Sequence, residues 1–410
     1  MNREHILEAL KKHLSDKRHS ILIGARQVGK TTVVKQLAEH LKQKNKKVVY
    51  LTFEDPGILA DINSHPEKIF DYTFHPDNLK TKERLYIIID EVQYAANPTN
   101  LLKLLYDKYE TKVKIIATGS SAFYIDRDFK DSLAGRKKIF ELYTLSFKEF
   151  LHFKKADDLL EDYNQMQKRI TYKSLKEKQI RLFFNEYLNY GGYPAVVLEN
   201  NMTYKKELLA ELVNSYMKKD VLEANVREDL KFFNLVKILS HQTGDLVNQN
   251  ELSNTLKTAV GTIDNYLYLL RKCFHIHLLP PKSGNIRKEL TKMPKIYFND
   301  LGMRNYLCNT FGPIEQRADK GALIENYAYI RLRELYGLDA LRFWRTADGN
   351  EVDFVIEENL RKGKAFEVKF SESQFKPTKY KKFTEGYPDF NFKPLVYQRE
   401  TKKALDLLVF

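Results

Sequence analysis

At 410 residues the chain has room for two or three domains, and its 43% hydrophobic and 30% charged composition is that of a soluble globular protein. No apolar run approaches the roughly 18 residues that span a bilayer, so a membrane-embedded protein is not expected, and the charged opening MNREHILEALKKHLSDKRHS reads as an amphipathic helix without an apolar secretory core, which makes the cytoplasm the expected location. Cys273 and Cys308 are too few for a disulfide framework or a thiolate metal site, while 68 Lys and Arg against 54 Asp and Glu (net +14) favour a polyanionic partner.

The first element is a short apolar strand that runs into SILIGARQVGKTT, residues 20–32, and then a helix to about Leu41. Gly24, Ala25, Arg26, Gln27, Val28, Gly29, Lys30 and Thr31 complete the G-x-x-x-x-G-K-[ST] pattern in its strand-to-helix setting, with Thr32 directly behind. Such a loop wraps phosphates in backbone N–H groups, Lys30 reaches the β- and γ-phosphates, and the Thr31 hydroxyl ligates Mg²⁺. A second strand, VVYLTF, and a third, LYIIIDEVQ, are continuous apolar runs of the kind found in parallel sheets covered on both faces. The third carries Asp90 and Glu91 at its carboxyl end, where ligands of such sheets gather. Asp90 is therefore the expected Mg²⁺ holder, and Glu91 the general base for the attacking water.

A helix over about 99–109 precedes the fourth strand, KIIATGSSA. Thr118 and Ser120 are equal candidates for touching the γ-phosphate or the water, and either also serves to cap the next turn. Leu133-Ala134-Gly135-Arg136 leads into the fifth strand, KKIFELY. Arg136 suits a γ-phosphate contact, in cis or on a neighbouring copy, or an ordinary surface position. GARQVGKTT, IIIDEVQ, ATGSS and LAGR, in this order, resemble the bacterial and archaeal AAA-type P-loop ATPases that carry an uncharacterised C-terminal domain. The resemblance extends over nearly the whole chain and implies ATP as the nucleotide.

From Ser146 to about Leu239 amphipathic helices rich in Lys, Glu and Tyr are expected, broken at Gly191-Gly192-Tyr193-Pro194, which suits either a hinge or a loop between packed helices. Residues 248–298 supply two helices, about 250–257 and 262–273, then a strand-turn-strand, as in a winged helix. Its wing carries Lys282, Arg287, Lys288, Lys292 and Lys295 against Glu289; with Asp264 and mostly core-facing spacing in the second helix, the unit as a whole suits DNA contact or a structural or docking role equally well. His275 and His277 are expected to be structural, and Asp300 to cap a short helix.

A longer helix, about 320–336, presents Glu325; strands LRFWRT, EVDFVIEE and KAFEVKFS follow, then a basic helix and a strand near PLVYQ. Period-two alternation sends Val352, Phe354 and Ile356 to one face and Asp353 to the other, and puts Glu367 and Lys369 together. Glu325, Asp353 and Glu367 make a hard-oxygen set for a second Mg²⁺ or Mn²⁺, with Lys369 to orient a bound water. This element order and residue set resemble the PD-(D/E)xK nuclease core, with Val352-Asp353 in place of Pro-Asp. From Arg361 to Lys382 eight basic residues face two acidic ones, a surface suited to a nucleic-acid backbone.

The expected fold class is thus α/β: a P-loop parallel sheet (1–145), a helical lid (146–240), a winged-helix-like domain (241–300) and a small α/β nuclease-like domain (301–410). The expected function is ATP hydrolysis with catalytic roles for Lys30, Glu91 and Arg136, coupled to action on nucleic acid, DNA more than RNA, with no membrane. The alternatives are an ATP-dependent switch or scaffold in a stress, defence or toxin-associated system, whose nuclease-like domain only docks, and a pure DNA-binding regulator. A homo-oligomer or a protein partner is compatible with each.

Overall fold

The apolar runs of the first third become strands. In the computed structural model, which describes all residues except 1–2, 82, 120–132, 169–171, 173, 220–227, 283–291, 359–361 and 402, they are β1 (His19–Ile23), β2 (Lys47–Thr52), β3 (Leu85–Asp90), β4 (Val113–Gly119) and β5 (Lys137–Glu141). All pair in parallel, in the order β2-β3-β4-β1-β5. The inner strands β1, β3 and β4 are buried along their whole length, as both-face coverage requires. The helices Lys30–Gln43 and Pro98–Tyr109 pack on this sheet. Because every strand runs the same way, the loop after β1 and the carboxyl end of β3 open on one edge.

The chain divides into two units, residues 1–143 with 272–274, and residues 144–271 with 275–410. In the second unit the segments expected as lid, winged helix and nuclease-like domain share one hydrophobic core. The helix Phe147–Phe153, started by the Ser146/Glu149 capping box, contributes Phe147 and Phe150; the helix Glu177–Tyr190 contributes Phe184 and Tyr187. They meet Leu323 and Tyr327 of the helix Lys320–Tyr336, with Phe184 edge-on to Tyr327 at 4.8 Å between ring centroids.

The helix break at Gly191-Gly192 is a packed junction. Gly191 has φ +73°, the Gly192 amide donates to Asp300 Oδ2 at 2.8 Å, and a Cβ at Gly192 would lie 2.3 Å from the Leu145 carbonyl oxygen. Asp300 also caps the helix Leu301–Leu307 by accepting from the Met303 amide at 2.9 Å.

Two helices, Gln249–Leu256 and Val260–Lys272, precede the antiparallel pair β6 (Ile276–Leu279) and β7 (Lys295–Phe298). The expected wing residues Arg287 and Lys288 lie outside the described residues. The last sheet contains β8 (Leu341–Arg345), β9 (Glu351–Glu357), β10 (Gly363–Ser371), β11 (Phe390–Gln398) and β12 (Leu405–Asp406), in the order β12-β11-β10-β9-β8. β8, β9 and β10 pair antiparallel, and β10, β11 and β12 in parallel.

Strict alternation along β9 is corrected here. Phe354 and Ile356 join the main core, but Val352 packs with Val355 in a separate cluster beside Trp344 and Phe383. The register of β8 on β9 shifts between Arg342 and Trp344. An irregularity of this kind re-aims the residues beside it, here Asp353.

Candidate functional site

The first site is built around the loop after β1. Gly24 lies so close to Leu142 that an added Cβ would sit 2.1 Å from that carbonyl oxygen, and Gly29 has φ +98°, a left-handed value that glycine adopts without penalty. Lys30 is 5% exposed, and its Nζ donates to the carbonyls of Gly24 (2.9 Å) and Ala25 (2.8 Å). Arg3, absent from the sequence expectations, donates Nη1 to the Val28 carbonyl at 3.1 Å and Nη2 to the Tyr143 carbonyl at 2.6 Å, which ties the loop to the segment after β5.

Asp90 is the hub. Thr31 Oγ1 donates to its Oδ2 at 2.8 Å, the Tyr50 hydroxyl donates to the same oxygen at 2.6 Å, and the Thr118 hydroxyl donates to Oδ1. Thr118 Oγ1 in turn accepts the Glu91 amide at 3.0 Å. Glu91 sits at φ +59°, a costly conformation for a glutamate that clusters at functional positions, and its Oε2 accepts from Gln93 Nε2. Burial, reinforced by the Asp90 carboxylate, pushes the Tyr50 phenol above its usual pKa and keeps it a neutral donor. Tyr50 was legible only as one phenol inside an apolar strand.

The Thr31 hydroxyl and the Asp90 carboxylate, at the head of a helix and the end of a strand, are the hard-oxygen donors that Mg²⁺ takes, with phosphate and water left to complete its shell. The donor set fits the ion. Ser120 lies outside the described residues. Arg136 is not brought to this site. Its carbonyl accepts the His19 amide at 2.8 Å, at the start of β1, while the phosphate loop follows the end of that strand. Its Nε pairs with Asp107 Oδ1 at 2.6 Å. Of the alternatives open for Arg136, a contact in cis finds no support in this topology, while a neighbouring copy or an ordinary surface position stays open.

The second site lies between β7, β9, β10 and the helix Lys320–Tyr336. Pairing of β9 with β10 runs from Glu357↔Gly363 to Phe354↔Phe366 and stops. Side chains then replace the ladder: Asp353 Oδ2 accepts the Val368 amide at 2.9 Å, and Glu367 Oε2 accepts the Asp353 amide at 3.4 Å. Lys369 Nζ pairs with Glu367 Oε1 and donates to the Val368 carbonyl at 3.1 Å; the Tyr380 hydroxyl donates to Glu367 Oε1 at 2.8 Å. Glu325 Oε1 accepts from the Tyr297 hydroxyl at 2.6 Å.

The cation at the centre is Lys295. Its Nζ lies 3.2 Å from Glu325 Oε1, 3.3 Å from Asp353 Oδ1 and 2.6 Å from Glu351 Oε1, and the residue is 2% exposed. Of the two roles open to the wing, DNA contact by Lys295 finds no support, since β7 turns it into the unit. Lys282 is likewise buried, against Glu357. Burial opposes the Lys295 charge, but Glu325, with Asp353 and Glu351, holds its pKa well above the ordinary lysine value. Burial first, then the Asp353 charge, push the Glu325 and Glu367 carboxyls upward.

Glu325, Asp353, Glu367 and Lys369 do converge, yet the residues present do not fit a metal. The ammonium groups of Lys295 and Lys369 already take Glu325 Oε1, Asp353 Oδ1 and Glu367 Oε1, so cations of the chain itself hold the oxygens that a metal would need. Among the described residues no three His, Cys, Asp or Glu side chains come together as a metal-binding group. The expected second Mg²⁺ or Mn²⁺ is therefore not supported. Glu351 was within reach of sequence reading, since it stands two positions before Asp353; Tyr297 and Tyr380 carried no comparable signal. No helix among the described residues is long and apolar enough to cross a membrane.

Three stretches of the chain match described families. Residues 16–151 match the family described as AAA domain; residues 181–313 and 320–408 match two domains of unknown function, DUF8612 and DUF4143. An "Uncharacterized protein" of Haemophilus influenzae is 27% identical over 385 residues, 90% of this chain and 87% of its own length. One of Methanocaldococcus jannaschii is 26% identical over 333 residues, 76% of this chain and 67% of its own. The solved structure of Cdc6p from Pyrobaculum aerophilum aligns with a TM-score of 0.33 at 13% identity, over 75% of this chain and 93% of that one, a likeness too low to carry an argument. The phosphate loop and the parallel sheet both fall within the residues that match the AAA domain, and they give the first unit the fold of a P-loop domain.

Proposed function

We propose that the protein binds ATP with Mg²⁺ at the first unit and hydrolyses it. The observation that carries this reading is the 2.8 Å contact between Thr31 and Asp90, which brings the phosphate loop and the acidic strand end to one point. Bound there, Mg²⁺ supplies charge neutralisation at the β- and γ-phosphates. Lys30 offers its ammonium to the same phosphates, Glu91 takes the proton of the attacking water, and Thr118 holds Asp90 and the Glu91 backbone in register. A contribution from Arg136 would require a second copy of the chain. The test is phosphate release from ATP with Mg²⁺: turnover is expected, and its loss in Lys30→Ala; equal turnover in that variant overturns the assignment.

For the second unit we propose a nuclease-like fold that contacts nucleic acid without cutting it, so that ATP turnover works a switch or scaffold. The exposed Lys376, Lys379 and Lys381 support polyanion contact, and the lysine ammonium groups seated on the carboxylates argue against cleavage. Incubation with single-stranded, linear and branched DNA and RNA, with ATP and Mg²⁺ or Mn²⁺, is expected to give salt-sensitive binding and no cleavage. Cleavage that disappears in Asp353→Ala overturns this and restores a metal-dependent nuclease.

A further inference from the structure

We infer that the Lys295 ammonium is a resident cation standing where a divalent metal would bridge Glu325 and Asp353, and that its removal turns this cluster into a metal site. The inference rests on the nuclease-like reading of the second unit.

Four carboxylates, those of Glu325, Glu351, Asp353 and Glu367, are drawn together by β9, β10 and the helix Lys320–Tyr336. Such a group persists in a folded unit only if its charge is matched. Two lysines oppose it, together with Arg345, which pairs with Glu351 Oε2 at 2.9 Å. Lys369, beside Glu367 on β10, takes Glu367 Oε1 and the Val368 carbonyl. Lys295 arrives from a strand outside the sheet and takes one oxygen each from Glu325, Asp353 and Glu351. That is the bridging role a hard cation has in a carboxylate site, and Mg²⁺ or Mn²⁺ would need the same oxygens at roughly 2.0–2.2 Å. Ammonium and metal compete for one position.

The lysine has the advantage of being covalently part of the fold. β7 holds its backbone by pairing with Leu279 of β6 and by an isolated bridge to Leu246, and the Phe298 amide at the end of the strand donates to Asn326 Oδ1 at 2.8 Å. A free ion must displace a charge that the strand cannot release without breaking these bonds. The site is therefore closed to metal by its own chain, and the carboxylates serve to anchor β7 to the nuclease-like sheet.

The experiment is Mn²⁺ binding to the full chain without nucleotide, in a Lys30→Ala background that weakens nucleotide retention, with dependence on Asp353 separating the second site from Thr31 and Asp90, followed by calorimetry and by the electron-spin signal of free Mn²⁺. Without further change, no Mn²⁺ binding that depends on Asp353 is expected. Lys295→Met is expected to raise Mn²⁺ affinity by about tenfold or more, the size by which groups around a metal site tune its affinity, and Asp353→Asn to abolish the gain. Should Lys295→Met not fold alone, refolding on added Mn²⁺ supports the inference, and absence of Asp353-dependent binding in the Lys30→Ala protein still decides the other arm. Asp353-dependent Mn²⁺ binding with Lys295 in place overturns it. So does a folded Lys295→Met protein that gains none. Cleavage is not read here, so the outcome is separate from the assay that decides between docking and cutting.

Discussion

The Tyr50 hydroxyl lies 2.6 Å from Asp90 Oδ2, the oxygen that also accepts from Thr31. The aspartate is therefore held from β2 as well as from the helix that follows the phosphate loop. A lost hydrogen bond to a charged group costs roughly 1.5–3 kcal/mol, which is about tenfold or more in an equilibrium. Tyr50→Phe keeps the ring and removes only the donor.

ATP turnover by Tyr50→Phe is expected to need more Mg²⁺, with the half-saturating concentration raised about tenfold, the typical effect of losing a group that orients a metal ligand. Turnover at saturating Mg²⁺ should change less. Phosphate release measured against Mg²⁺ concentration checks this, and an unchanged Mg²⁺ profile would remove Tyr50 from the site.

Gly192 gives a prediction on stability. A Cβ there would stand 2.3 Å from the Leu145 carbonyl and 2.9 Å from the Leu145 amide nitrogen. Both are backbone atoms fixed by the Leu145 amide, which donates to the Gly192 carbonyl at 2.8 Å. Relief has to come from the chain itself, so Gly192→Ala should cost about 1–3 kcal/mol, the usual range for overpacking. Urea unfolding of the variant checks it; a change below about 0.5 kcal/mol, the scale of neutral surface substitutions, would mean that the junction yields.

How much of this was legible depends on how far apart the partners lie in the chain. The phosphate loop is contiguous and its chemistry is backbone-deep, so Gly24 to Thr31 could be read directly, and the apolar run before Asp90 fixed where that carboxylate emerges. In the second unit the succession of helix and strands was readable from the apolar runs, though the alternation read in EVDFVI holds only for Phe354 and Ile356. Long-range placement was not. Lys295 in KMPKIYF is one lysine of a basic stretch, and nothing local distinguishes a wing residue from one whose strand turns it toward Glu325, 30 positions later. The place of Arg136 was hidden for a similar reason: LAGR precedes a parallel strand, and only the pairing of Lys137 with His19 shows that this end of the sheet is far from the loop. The irregularity in β9 was hidden too, since a register shift is a property of two strands.

His19 carries the last prediction. It begins β1 fully buried, and its Nε2 is 3.0 Å from the Leu102 carbonyl oxygen. Burial disfavours the imidazolium and lowers the pKa from 6.5 to about 4. With the folded pKa below the unfolded one, the unfolded chain takes up the proton first as the solution is acidified. The stability of the neutral, buried ring is therefore complete above about pH 6.5 and is lost progressively as pH falls toward 4. The difference corresponds to about 3 kcal/mol at the acid end, at roughly 1.4 kcal/mol for each pH unit between the two values. Glu325 and Glu367, whose carboxyls are shifted upward, contribute the opposite slope, so the His19 effect has to be isolated by comparison. His19→Gln retains a side-chain donor and removes the titration. Urea unfolding of both proteins at intervals from pH 7 to pH 4 should show the wild type losing stability faster than the variant across this window, and parallel curves would mean that the ring titrates normally in the folded sheet.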